Sequence, residues 1–190
     1  MTTSDEKKTA EKISQEIEQD LADIHSLLQE LPRTRGLQSL GVPREDWPSL
    51  EETLTKSGWG KDRYIDVTNL VERLSSFGVC VHEFAREFIA KFNKLSIQFP
   101  KFFRDSTYTY HFDTLAAAEN YVEYRLEEDE ATLGHKICPI AQSDDGVIIL
   151  LIDDIGRVFA SVDRCLCFVA DSFWEALEMI NADKRFQQVK

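Results

Sequence analysis

The side chains best able to do chemistry here are four cysteines, four histidines and several paired carboxylates. Cys165-X-Cys167 would place two thiols on one face of a strand. Structural zinc takes four ligands, and its cysteine pairs are spaced by about two to four residues. Cys80 and Cys138 lie far from that pair in sequence, and His25, His82, His111 and His135 sit in unrelated contexts without an HExxH motif. A thiol–imidazole pair is conceivable between Cys138 and His111 on neighbouring strands, but any chain holding several of both types allows some such pairing. No G-x-S-x-G, P-loop or G-x-G-x-x-G occurs. These residues point to no catalytic site, no metal site and no cofactor. The cysteines have apolar neighbours (Val79-Cys80-Val81, Ile137-Cys138, Leu166-Cys167-Phe168), which predicts buried free thiols in a reducing cytoplasm.

The carboxylates form three groups: Glu127-Glu128-Asp129-Glu130, Asp144-Asp145 and Asp153-Asp154. Acid–base catalysis needs two carboxyls at a defined separation in a concave site. Adjacent acids in turns mostly serve the turn itself. A binding role asks only for exposed negative charge, so all eight acids are candidate partner-contacting residues. Arg157, just after the second Asp pair, joins them: it could pair with Asp153 or Asp154, or lie at an interface. Net charge is −12, and it is local. Residues 1–31 carry three lysines against eight acids, and residues 127–157 carry eight acids against Lys136 and Arg157. Such a balance argues against direct nucleic-acid binding and against anionic membranes, since both reward positive charge.

These groups must be positioned by regular elements. From residue 9 to 31, Ile13, Ile17, Leu21, Ile24, Leu28 and Leu31 recur at spacings of three or four, an amphipathic helix that Pro32 ends. Its apolar stripe needs a surface, either on the same chain or on a second copy, so the protein is expected as a monomer or as a homodimer through this helix. Gly36 and Gly41 mark a linker. Asp46, Trp47 and Pro48 open a short helix that stops near Gly58. Asp66 or Thr68 caps a third, and a fourth spans 82–92 with Phe84, Phe88, Ile89 and Phe92 inward. Residues 95–99 and the TYTYHF segment read as strands. Asp113-Thr114 caps a helix to about Leu126, and the acidic run follows it.

The C-terminal half reads as a meander. Residues 137–140, 147–152, 157–162 and 166–169 are strands, separated by Asp144-Asp145-Gly146 and Asp153-Asp154-Ile155-Gly156 turns. The run 147–152 suits a strand covered on both faces, whereas 157–162 alternates polar and apolar. Asp171-Ser172 then caps a helix with Phe173, Leu177 and Ile180 on one face. The fold class is α+β: a mixed or antiparallel sheet of about five to six strands with helices packed on it, plus an N-terminal helical extension. Residues 1–45 form the extension and linker, and 46–190 the α+β domain.

The order Cys138-Pro139-Ile140, acidic turn, ILLIDDIGRVFA, short strand, DSFWEALEMI resembles the C-terminal half of SUKH-superfamily immunity proteins, in particular their third group. Upstream, LTKSGWGKDRYIDVTNLVERLSSFGVCVHEFAREFIAKFNKLSIQFP is similar to the family's opening pattern, so the resemblance covers roughly Leu50 to Asp183, and Trp59, Arg63 and Arg157 match the family pattern. Two family glycines are replaced by Asn93-Lys94, and a third by Ala141, at places expected to be turns or bulges. Asn93 suits a left-handed position. The resemblance implies a cytoplasmic immunity protein whose partner is a cognate secreted bacterial toxin, with a nuclease among the candidates, neutralised by blocking its active site. A non-catalytic regulatory or scaffolding module of the same superfamily is the alternative.

Overall fold

A computed structural model describes residues 47–101, 107–123, 125–163 and 165–189. The amphipathic helix read over 9–31, its linker and Asp46 lie outside the described residues.

Among the described residues three helices come first: α1 (Leu50–Lys56), α2 (Thr68–Ser76) and α3 (Glu83–Phe92). The hairpin β1 (Ser96–Pro100) and β2 (Thr107–His111) follows, then α4 (Thr114–Tyr121) and α5 (Leu126–Leu133). The meander is β3 (Ile137–Ser143), β4 (Ile148–Asp153), β5 (Val158–Val162) and β6 (Cys165–Ala170); α6 (Phe173–Asn181) and a two-residue β7 (Gln187–Gln188) close the domain. All seven strands form one sheet in sequence order, each antiparallel to its neighbour. This is the expected α+β class, with β7 the strand beyond the expected number.

Local chemistry sets the element boundaries. α1 starts at a reciprocal capping box: the Glu52 backbone N–H donates to Ser49 Oγ, and the Ser49 backbone N–H donates to the Glu52 carboxylate. Ser172 caps α6 by accepting from the Glu175 backbone N–H. Arg63 closes α3, its guanidinium donating to the carbonyls of Lys91 (2.8 Å) and Asn93 (2.9 Å), which have no partner within the helix. Lys94, rather than Asn93, adopts the left-handed conformation after α3 (φ 69).

The pairing of β3 with β4 shifts register between Pro139 and Ala141. Ile140 is thus the extra residue of a bulge, which accommodates a proline that has no N–H to offer the ladder. Ala141 needs no glycine there, because its φ is not positive.

Other readings are corrected. The helix expected from Asp113 to about Leu126 is two helices, and the acidic run lies inside the second, at its N-terminus, where carboxylates complement the helix dipole. β5 does not alternate: Val158, Phe159 and Ala160 are all buried, as in an interior strand. The cysteines are free, but only Cys138 is buried; Cys80 and Cys165 are exposed and Cys167 is half-buried.

The core joins the helices to the sheet. Phe88 and Phe92 of α3 stack at 4.9 Å and meet Phe112 and Phe173 at 5.1–5.9 Å. Trp59 stacks on Phe92 from outside, at 5.8 Å. Phe84 does not join them and is 46% exposed. On α3, Ala85, Phe88, Ile89 and Phe92 define the buried stripe, and Phe84 falls at its margin.

Candidate surface at one end of the sheet

The acids singled out above occupy three different settings. Asp129, Asp153 and Arg157 are structural. Asp129 is 1% exposed; it accepts from the Tyr121 hydroxyl and pairs with the Arg125 guanidinium at 2.6 Å, tying α4 to α5. Asp153 is fully buried at the end of β4. Its carboxylate accepts from the backbone N–H groups of Ile155 (3.2 Å) and Arg157 (2.7 Å) and from Arg157 Nε (2.7 Å). The Arg157 guanidinium also lies over the Phe159 ring, 5.3 Å from its centre. Of the two carboxylates open to Arg157, Asp153 is its partner. Both carboxylates are held inside the fold, with their bonds spent on neighbouring elements.

Asp144 and Asp145 are exposed on the β3–β4 turn. Asp145 accepts from Ser143 Oγ (2.5 Å) and from the Val147 backbone N–H (3.0 Å), the turn role expected of such residues. These bonds, Ser143 first, hold its pKa below the ordinary carboxylate value.

Glu127, Glu128, Glu130 and Asp154 gather at the opposite end of β4, roughly 20 Å away at the usual strand rise. Glu127 and Glu128 are exposed on the first turn of α5. Glu130 turns inward to bridge Lys136 Nζ (2.6 Å) and the Ile137 backbone N–H (3.3 Å). Asp154, on the β4–β5 turn, pairs with His135 Nδ1 (2.7 Å) and accepts from the Lys136 backbone N–H (3.2 Å). The His135 bond is the main reason its pKa lies below the ordinary value. Glu127, Glu130 and Lys136 are shared by two adjoining depressions: one of about 750 Å³, also lined by Phe77 and Gly78, and one of about 360 Å³, also lined by His135 and Asp154.

Chemically, this end of the sheet is an acidic rim with little else. An imidazole held by a carboxylate recurs in hydrolases, where it activates a nucleophile. Here Asp154 also accepts a backbone N–H, so the pair clamps the β4–β5 turn to the segment before β3. Among the described residues, no group of three metal-ligating side chains converges. Cys138 and His111 are not brought together: His111 stands opposite Gln142 and bonds Ser96 Oγ (2.9 Å), whereas Cys138 is buried opposite Ile152.

Sequence reasoning missed the apolar members of this end. Phe77 (40% exposed) follows α2, Phe84 begins α3, and Ile155 (52% exposed) sits at the tip of the turn. A large aliphatic in the middle of an Asp-Asp-Ile-Gly turn was the available signal. The Phe84 ring covers Gly156, next to Ile155, and His82 Nε2 meets the Ile152 carbonyl at 3.1 Å, so α3 and the turn form one surface.

A family model described as SUKH-3 immunity protein matches residues 48–182. No curated protein and no solved structure matches the chain.

Proposed function

Because the chain belongs to the SUKH-3 immunity protein family, we propose that it protects its cell by binding and neutralising a cognate secreted bacterial toxin. The observation that carries this reading is the extent of the match, which runs from α1 to the residue after α6. The immunity role in general comes from the family; the rest is our reading. Neutralisation is steric and electrostatic, without turnover or cofactor: the domain covers the toxin's active site. A toxin that cuts nucleic acid suits an acidic inhibitor, since carboxylates repeat the charge of phosphates and steer a basic partner toward the complex. The setting we propose is the cytoplasm of the protected cell, which suits four free thiols. The same proposal takes the protein as a monomer or as a homodimer through the helix expected over residues 9–31.

The test is rescue. Toxin domains encoded beside this gene are expressed in a sensitive host, each with and without this chain. Restored growth with one toxin, and co-purification of the two proteins, is the expected result. Failure to protect against every neighbouring toxin overturns the reading and leaves a regulatory or scaffolding module of the same superfamily.

A further inference from the structure

We propose that the end of the sheet bearing the β4–β5 turn is the face that receives the toxin, and that the toxin meets it with basic side chains around an apolar centre. This deepens the immunity reading and rests on it. Six large apolar side chains are exposed among the described residues, and three of them, Phe77, Phe84 and Ile155, stand at this one end. They come from three separate elements: Phe84 packs on Gly156 beside Ile155, and Phe77 lines the depression that shares Glu127, Glu130 and Lys136 with the one bearing Asp154. Buried apolar anchors supply most of the affinity at protein interfaces, whereas a charged rim sets encounter rate and partner choice.

The rim identifies the occupant. Glu123, Glu127, Glu128, Glu130 and Asp154 line the two depressions against Arg125, Lys136 and His135; Arg125 bridges Asp129 and Glu128, Lys136 pairs with Glu130 and His135 with Asp154, which leaves the rim acidic on balance. A second copy of this chain would set carboxylates against carboxylates, which is repulsive. A basic protein surface is complementary. The face is also fixed in advance. His135–Asp154, Lys136–Glu130 and the Asp153 carboxylate hold the turn and the α5–β3 corner together, so little ordering is lost on binding.

The experiment uses the full chain and the toxin domain identified by rescue, carrying an inactivating substitution. Binding is measured by calorimetry for the wild type, for Ile155→Lys combined with Glu127→Lys, and for Val147→Lys combined with Asp144→Lys at the far end of β4. Ile155, Glu127, Val147 and Asp144 are all exposed, and thermal melts check folding. The first variant should lose about 30-fold or more in affinity, the size of an interface hot spot. The second should stay within about threefold of the wild type. Amide exchange on the unmodified complex should show protection of residues 77–84 and 153–156. Wild-type binding with no loss in the first variant, or with protection confined to other segments, overturns the assignment of this face while leaving the immunity reading intact. A wild type that neither binds nor protects removes both.

Discussion

The ring of Phe84, in the first turn of α3, lies against Gly156 in the β4–β5 turn so closely that a β-carbon at Gly156 would stand 3.0 Å from two ring carbons. Gly156 also has a φ of 93°, where side chains are strained. Two costs therefore coincide at one position. Gly156→Ala should destabilise the domain by ~2 kcal/mol or more, judged from the positive-φ penalty plus the contact. Gly146, in the other acidic turn, has φ 71°, and a β-carbon there would meet nothing within 4 Å, so Gly146→Ala should cost less. Urea midpoints compare them. Adding Phe84→Ala to Gly156→Ala should recover the contact share but not the backbone share, which a double-mutant cycle separates.

A second expectation concerns Asp129. Its carboxylate is enclosed, held by the Tyr121 hydroxyl and the Arg125 guanidinium. Burial, reinforced by the Asp129 bond, pushes the Tyr121 pKa upward, so the phenol stays a donor throughout the neutral range. Tyr121→Phe removes that donor and leaves a buried acceptor short of one partner, at a cost of about 1–3 kcal/mol. Charge neutralisation of exposed Glu127 should change stability by less than about 0.5 kcal/mol. Equal denaturation midpoints for the two variants would contradict the assignment of Asp129 as structural.

The thiols should react in a defined order. Cys80 and Cys165 are exposed, Cys167 is half-buried, and Cys138 is enclosed in the core. Burial pushes the Cys138 thiol well above its ordinary pKa, so it lacks both access and thiolate. Under native conditions a maleimide should label Cys80 and Cys165 quickly and Cys167 slowly. Cys138 should react only after denaturation. Peptide mass mapping reads the order directly, and fast native labelling of Cys138 would contradict its place in the core.

How much of this was legible beforehand depends on where each decision was made. The meander was legible because Asp144-Asp145-Gly146 and Asp153-Asp154-Ile155-Gly156 announce turns chemically, and the runs between them are short and apolar. The direction of each acid was not legible. Asp153 and Asp154 are identical neighbours, yet one is still in β4 with its side chain enclosed and the other has passed into the turn. That difference is set by where the strand ends, which sequence patterns fix only loosely. Asp129 likewise points inward because Tyr121, at the end of α4, and Arg125, just before α5, complete its bonding. Phe84 read as core by spacing alone, and Ala85 took the place on the buried stripe. The surface at the end of β4 could not be read at all, because Phe77, Phe84 and Ile155 come to one end of the sheet only through tertiary packing.

The last expectation is a pH dependence centred on His82. This residue caps α3: its Nδ1 accepts from the Ala85 backbone N–H at 3.3 Å. Nδ1 is then the unprotonated nitrogen, so Nε2 carries the proton and donates to the Ile152 carbonyl at 3.1 Å. The Nδ1 bond requires the neutral ring, since protonation there would set one donor against another, whereas the Nε2 bond survives it. Burial lowers the His82 pKa below its ordinary 6.5, outweighing the Ile152 carbonyl and the charges of Asp154 and Asp153, which pull it upward. The unfolded chain therefore takes up the proton first as the pH drops. The contribution of His82 is complete above 6.5, declines as the pH falls from 6.5 toward the lower folded value, and is constant below that. His82→Asn keeps an N-cap acceptor without a titrating group. Urea denaturation of both proteins at pH 7.5 and at pH 5 isolates the effect, because the two differ only at position 82. The wild type should lose more stability than His82→Asn between the two conditions. Parallel losses would mean that the native ring takes up its proton as readily as the unfolded chain does, and that Ala85 finds its partner elsewhere.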